Sequence, residues 1–74
     1  MNNLKRERFE KVAAKRVEKI LHYFDLLGNC ANTNNYEYNK ADVEKMFKEI
    51  QKALNVTKNR FEIEMSKNKR KFNF

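Results

Sequence analysis

The sequence predicts an all-α protein in which two helices fold back on each other as an antiparallel hairpin. The 74 residues include no proline and one glycine, and 36% of them are charged. Long helices suit such a composition, whereas the turns of a β-sandwich need glycine and proline. Two long segments repeat apolar residues at helical spacing, and an asparagine-rich segment separates them. We therefore expect one small domain, residues 1–65, followed by a tail at residues 66–74.

The first predicted helix covers residues 4–27. At about 100° per residue, one side of it carries an apolar arc roughly 80° wide. We call this arc the apolar stripe; its residues are Phe9, Ala13, Val17, Ile20, Phe24 and Leu27. Gly28 follows the last of them and is expected to end the helix as a left-handed cap.

Residues 28–38 are predicted to form a loop, because asparagine side chains compete with helical hydrogen bonds. Asn39 and Asp42 then have the spacing of a capping box, which predicts a second helix over residues 40–65. Its apolar residues repeat at steps of four and three, as in helices that pack nearly antiparallel. They are Val43, Phe47, Ile50, Leu54 and, after Thr57, Phe61.

A hairpin of this size has a marginal core, because one seam leaves part of each apolar face exposed. A homodimer that forms a four-helix bundle would cover those faces. Docking on another protein would cover them equally well. We expect the dimer.

The charge distribution indicates a polyanionic partner. Lysine and arginine outnumber acids 17 to 10, which gives a net charge of +7 and a pI near 9.7. A basic stripe runs along the polar side of the first helix for about 21 Å. It comprises Arg8, Lys11, Lys15, Lys19 and His22. Such a row could contact several phosphates of a nucleic acid. Alternatively, its lysines solvate the outer face of an amphipathic helix.

The tail is the second candidate for phosphate contact. Its cations are Lys67, Lys69, Arg70 and Lys71, and Phe72 and Phe74 follow them closely. A flexible arm of this composition could bind phosphates and stack on bases. It could equally be a disordered segment that keeps the protein soluble.

Two further residues are candidates for contact with a partner. Arg16 falls inside the apolar arc, where its stem can lie along the core while its head reaches water. It could instead pair with a carboxylate across an interface, and Glu10 is a candidate. Tyr36, in the asparagine-rich loop, could stack on bases or anchor a protein partner.

The sequence predicts a protein without catalytic activity, a metal, another cofactor or a small-molecule substrate. It has one histidine and one cysteine, too few nitrogen and sulfur ligands for a zinc site. No glycine-rich phosphate loop or metal-binding motif occurs. The lone Cys30 suits a reducing compartment, and no segment has the apolar length of a signal peptide or membrane span. We expect a cytoplasmic protein that does not associate with a membrane.

Several short runs carry a resemblance to known sequences. They are Leu27-Gly28-Asn29-Cys30-Ala31-Asn32, Asn35-Tyr36-Glu37-Tyr38, Asp42-Val43, Lys45-Met46-Phe47 and Ile50, with the basic first helix before them. Over roughly residues 6–61 the chain resembles a group of small uncharacterised proteins encoded on conjugative elements, plasmids and prophages of low-GC bacteria. Because the proteins of this group are uncharacterised, the resemblance implies no particular activity and no binding residues for this chain. The resemblance implies a mobile-element gene, and such genes often encode regulators, nucleic-acid accessory proteins or inhibitors of host defence.

Together these patterns predict a non-enzymatic, basic mobile-element protein that binds nucleic acid or a nucleoprotein complex, as an accessory or regulatory factor. The alternative is an anti-CRISPR-like inhibitor that binds a host defence nuclease or its guide RNA. The net charge of +7 argues against mimicry of DNA, which needs an acidic surface.

Overall fold

The computed structural model describes residues 3–69, and the side chains of residues 3–67. It contains two helices, α1 (Leu4–Asn29) and α2 (Lys40–Lys69), and no strand within the described residues. The all-helical prediction is confirmed. The chain divides into two compact units between Glu37 and Tyr38. The hairpin and the dimer stay predictions.

Asn3 begins α1 as its N-cap. Its side-chain oxygen Oδ1 accepts a hydrogen bond from the Arg6 amide at 2.9 Å, and its carbonyl accepts the first helical bond from Glu7 at 3.1 Å. Side-chain capping satisfies an amide that otherwise has no partner at a helix start. Glu7 also places a negative charge in the first turn, which favours the helix dipole.

The end of α1 differs from the prediction at Gly28. The helix continues to Asn29, and no glycine has a positive φ within the described residues. The prediction of a left-handed cap at Gly28 is therefore wrong. The amides of Cys30 and Ala31 instead bond the carbonyls of Leu27 (2.9 Å) and Gly28 (3.1 Å). Such three-residue bonds tighten the last turn and satisfy its carbonyls without a left-handed residue.

The segment between the helices is ordered by asparagine. Asn32 Oδ1 accepts a hydrogen bond from the Asn34 amide at 3.0 Å, a side-chain mimic of a backbone turn. The Asn32 carbonyl accepts from the amides of Asn35 (3.1 Å) and Tyr36 (3.0 Å). The predicted loop is thus a sequence of local turns.

Helix α2 begins where the capping box predicted. Asp42 donates its amide to Asn39 Oδ1 at 2.8 Å, and Asp42 Oδ2 accepts from the Asn39 amide at 3.0 Å. The helix then runs to Lys69, four residues beyond the predicted end at residue 65. The start of the predicted tail, residues 66–69, is therefore helical. Lys67 donates to Glu64 Oε1 at 3.3 Å, and cations in a last turn favour the helix dipole.

No side chain of residues 3–67 is buried. Within the apolar stripe of α1, Ala13 and Leu27 are half-buried and the others are exposed, as are most apolar residues of α2. Within the described residues, neither helix is long and apolar enough to cross a bilayer. Each helix, taken by itself, has an amphipathic surface with exposed apolar side chains.

Candidate nucleic-acid interface

The basic stripe lies on one face of α1. Its four cations, Arg8, Lys11, Lys15 and Lys19, are three or four residues apart and span about 16 Å along the helix axis. All four are exposed. None of their side chains forms a hydrogen bond or ion pair within the part of the chain that the structure describes. Their charges are therefore available to a ligand.

The nearby carboxylates do not neutralise this face. Glu7, Glu18 and Asp25 lie beside the stripe, roughly 20–120° around the helix from it. Glu7 and Lys11 have the spacing of an i,i+4 pair, but no ion pair joins them. The ion pair that α1 does form, Arg6 Nε to Glu10 Oε1 at 2.7 Å, lies on another side of the helix. The basic and acidic side chains therefore lie on separate sides of α1, as their spacing in the sequence predicts.

Arg16 is exposed and forms no ion pair within residues 3–67. The Glu10 carboxylate, the candidate for pairing with Arg16 across an interface, is bonded in this chain to Arg6. The Arg6 guanidinium also lies over the Phe9 ring, 5.7 Å from its centroid. A cation thereby covers one end of the apolar stripe, whereas Arg16 remains free to meet a partner.

Of the four tail cations, Lys67 and Lys69 lie within the described residues, and only the side chain of Lys67 is described. Lys67 lies on α2 and its ammonium pairs with Glu64, so part of its charge is already balanced. Lys69 belongs to α2; its side chain lies outside the described side chains. Arg70 and Lys71, with Phe72 and Phe74, lie outside the described residues. Their assignment as phosphate contacts stays a prediction.

Tyr36 lies in the turn segment beyond α1, and 51% of its surface is exposed. Its backbone amide is held by Asn32, so the ring projects from an ordered position. An exposed ring on a fixed backbone can pack on a base or on an apolar pocket of a protein. The geometry is compatible with both predicted roles of this residue.

An aromatic pair at the end of the basic stripe was missed from the sequence. The rings of His22 and Tyr23 have centroids 6.1 Å apart and planes inclined at 59°. By helical angle alone, His22 belongs to the polar face and Tyr23 to the edge of the apolar face. The available signal was the position of two consecutive aromatic residues one turn beyond Lys19, the last cation of the row.

No cluster of three or more histidine, cysteine or acidic side chains occurs among residues 3–67 that could hold a metal ion. Cys30 is a free, exposed cysteine whose Sγ lies 3.8 Å from the Leu26 carbonyl oxygen. His22 instead contacts Tyr23. Neither contact joins the cysteine to the histidine.

The chain matches no protein-family model, no curated protein and no solved structure. The resemblance to mobile-element proteins therefore stays a prediction.

Proposed function

We propose that this chain is a non-enzymatic protein of a mobile genetic element that binds nucleic acid or a nucleoprotein complex, as an accessory or regulatory factor. The observation that carries the proposal is the row of four exposed cations on α1 that have no ion-pair partner among residues 3–67. Phosphates are the polyanionic groups that such a row can contact in series. The basic pI near 9.7 supports the same class of partner.

Contact through phosphates predicts weak sequence preference, because phosphate contacts carry no direct sequence information. It also predicts a measurable salt dependence. Four neutralised phosphates give a log–log slope of about −3.6 on duplex DNA and about −2.8 on a single strand. A slope of that size lowers affinity roughly 50- to 150-fold between 50 mM and 200 mM salt.

The experiment reverses the charge of three lysines of the basic stripe and compares the effect with a matched charge reversal on α2. One variant carries Lys11→Glu, Lys15→Glu and Lys19→Glu; the control carries Lys45→Glu, Lys48→Glu and Lys52→Glu. All six lysines are exposed and form no ion pair within residues 3–67. Each triple changes the net charge from +7 to +1, since each substitution removes two charge units. We expect the α1 triple to lose most binding to mixed-sequence DNA and RNA, and the α2 triple to lose less. Equal losses would assign binding to net charge alone.

We also propose that α1 and α2 pair as an antiparallel hairpin and that two chains form a four-helix bundle. The support is the exposure of apolar residues along both helices. Burying them yields about 25 cal/mol per Å² of apolar surface, the dominant favourable term in such association. Sedimentation at micromolar concentration tests the dimer, which requires a mass of twice 9.0 kDa. We place the protein in the cytoplasm, where its exposed thiol Cys30 would stay reduced.

The second candidate is an inhibitor of a host defence nuclease that binds a protein surface or its guide RNA. Two observations favour it: Tyr36 is exposed on an ordered turn, and Arg16, inside the apolar arc, forms no ion pair within residues 3–67. Aromatic and arginine side chains of this kind often dominate protein interfaces. In this case inhibition would survive the α1 triple reversal and would be lost in Tyr36→Ala. Under the first proposal, the α1 triple reversal would abolish activity and Tyr36→Ala would leave it intact.

A further inference from the structure

The basic stripe ends in an exposed aromatic pair. Tyr23 is one turn beyond Lys19, an axial distance of about 6 Å. Its side chain is 67% exposed, the largest fraction among the large apolar side chains of the described residues. Its hydroxyl forms no hydrogen bond within residues 3–67, and the centroid of its ring lies 6.1 Å from that of the neighbouring His22 ring. The face of the Tyr23 ring is therefore accessible to a ligand that is bound to the cations of the basic stripe.

The two features suit a single strand better than a duplex. The bases of a duplex are stacked on each other, so an aromatic side chain on an unbent duplex reaches sugars and phosphates. A single strand exposes base faces, and aromatic residues beside a cationic groove stack on them. Tyr23 lies about 40° around the helix from the edge of the stripe at Lys19. A base attached to a phosphate on the stripe could therefore reach the ring.

We propose that the ligand of this face is single-stranded nucleic acid, with its phosphates on Arg8, Lys11, Lys15 and Lys19 and a base stacked on Tyr23. The inference rests on the proposed function, and it specifies the ligand class for the same face. His22 supports the tyrosine ring from the side at 6.1 Å. Stacking is tolerant of sequence, because every base has a π face.

The test uses labelled oligothymidylate, oligouridylate and a mixed-sequence duplex, each about 16 nucleotides long, the upper end of site sizes for small single-strand binders. Three variants of the full chain are compared. Tyr23→Phe keeps the aromatic ring, Tyr23→Leu keeps an apolar side chain of similar reach without a π face, and Tyr23→Ala removes both. Circular dichroism verifies that each variant keeps its helices.

We expect Tyr23→Ala and Tyr23→Leu to lower single-strand affinity about 5- to 150-fold, the range measured for loss of one stacked base. Tyr23→Phe should bind like the unaltered chain. Duplex affinity should be unchanged in all three. The salt slope should also be unchanged, because no charge is removed, so the log–log lines should shift in parallel. The thymidylate and uridylate arms show whether DNA or RNA binds better.

The outcomes separate this inference from the proposed function. Absence of binding to every oligonucleotide would remove both. Binding that prefers duplex, or full affinity in Tyr23→Leu, would overturn the single-strand inference and leave phosphate contact in place. Loss in Tyr23→Ala on duplex and single strand alike would assign Tyr23 a structural role and also overturn it.

Discussion

Asn39 and Asp42 hydrogen-bond each other in both directions at the start of α2. The Asp42 amide donates to Asn39 Oδ1 at 2.8 Å, and Asp42 Oδ2 accepts from the Asn39 amide at 3.0 Å. Both residues are exposed. The position of this helix start is therefore set by reciprocal side-chain bonds, without help from a buried neighbour.

Removing the cap should destabilise α2. We expect Asn39→Ala to cost about 0.5–2 kcal/mol, because the side chain is the acceptor for an otherwise unpaired amide. Helix content and melting temperature by circular dichroism measure the loss. Asn35→Ala is the matched control, since no hydrogen bond of the Asn35 side chain occurs in the described structure. An unchanged melting temperature in Asn39→Ala would place the start of α2 elsewhere.

Gly28→Ala should stabilise α1. Gly28 is helical without a positive φ, and a Cβ added there meets nothing within 4 Å. Alanine in a helix is favoured over glycine by roughly 0.5–1 kcal/mol. Thermal unfolding followed by circular dichroism would show a higher midpoint. A lower midpoint would restore the left-handed cap that the sequence predicted.

Leu54→Ala tests whether the apolar face of α2 is covered in solution. Leu54 is 52% exposed in the single chain, and truncation of a side chain that stays exposed changes stability by about 0.5 kcal/mol or less. If packing in the hairpin or dimer buries it, the cost rises to about 2–5 kcal/mol. Val56→Ala is the control, because Val56 is similarly exposed and lies on the opposite side of the helix.

Equal, small effects of Leu54→Ala and Val56→Ala would contradict the proposed packing. Repeating both melts at several protein concentrations separates hairpin from dimer. Stability of a dimer depends on concentration, whereas stability of a monomeric hairpin does not.

Neutralising the tail should reduce the salt dependence of binding. Substituting glutamine for Lys67, Lys69, Arg70 and Lys71 removes four cations, and each one that contacts a phosphate contributes about 0.9 to the slope on duplex DNA. Lys67 should contribute least, because Glu64 already pairs with it at 3.3 Å. Fluorescence anisotropy across a salt series gives the slope. An unaltered slope would exclude the tail from the interface.

The parts of the fold predictable from the sequence are those fixed by local hydrogen bonds. The Asn39–Asp42 spacing predicted the start of α2 because capping depends on residues three positions apart. The end of α2 was missed because it was inferred from the end of the apolar repeat at Phe61. That repeat indicates which side chains can be buried, whereas the helix itself extends beyond the repeat to include Lys69.

The candidate site was predictable in position and only partly in composition. Helical spacing placed Arg8, Lys11, Lys15 and Lys19 on one face. Whether those cations are free depends on rotamers: Glu7 and Lys11 have the spacing of an i,i+4 pair, yet no ion pair joins them. The open ring of Tyr23 was missed for a related reason: its angle on the helix suits the margin of an apolar face, and only its surroundings show it exposed.

No side chain of residues 3–67 is buried, so under the proposed packing the lifetime of this protein in a cell would depend on the concentration of the molecule that covers its apolar faces. A molecule that covers the apolar faces stabilises the folded chain by about 2.7 kcal/mol when present at 100 times its dissociation constant. Proteases act on transiently opened chains, so degradation slows as that partner accumulates. If the covering molecule is a second copy of this chain, a rise in its expression would slow its degradation. A fall in its concentration after loss of the gene would speed its degradation.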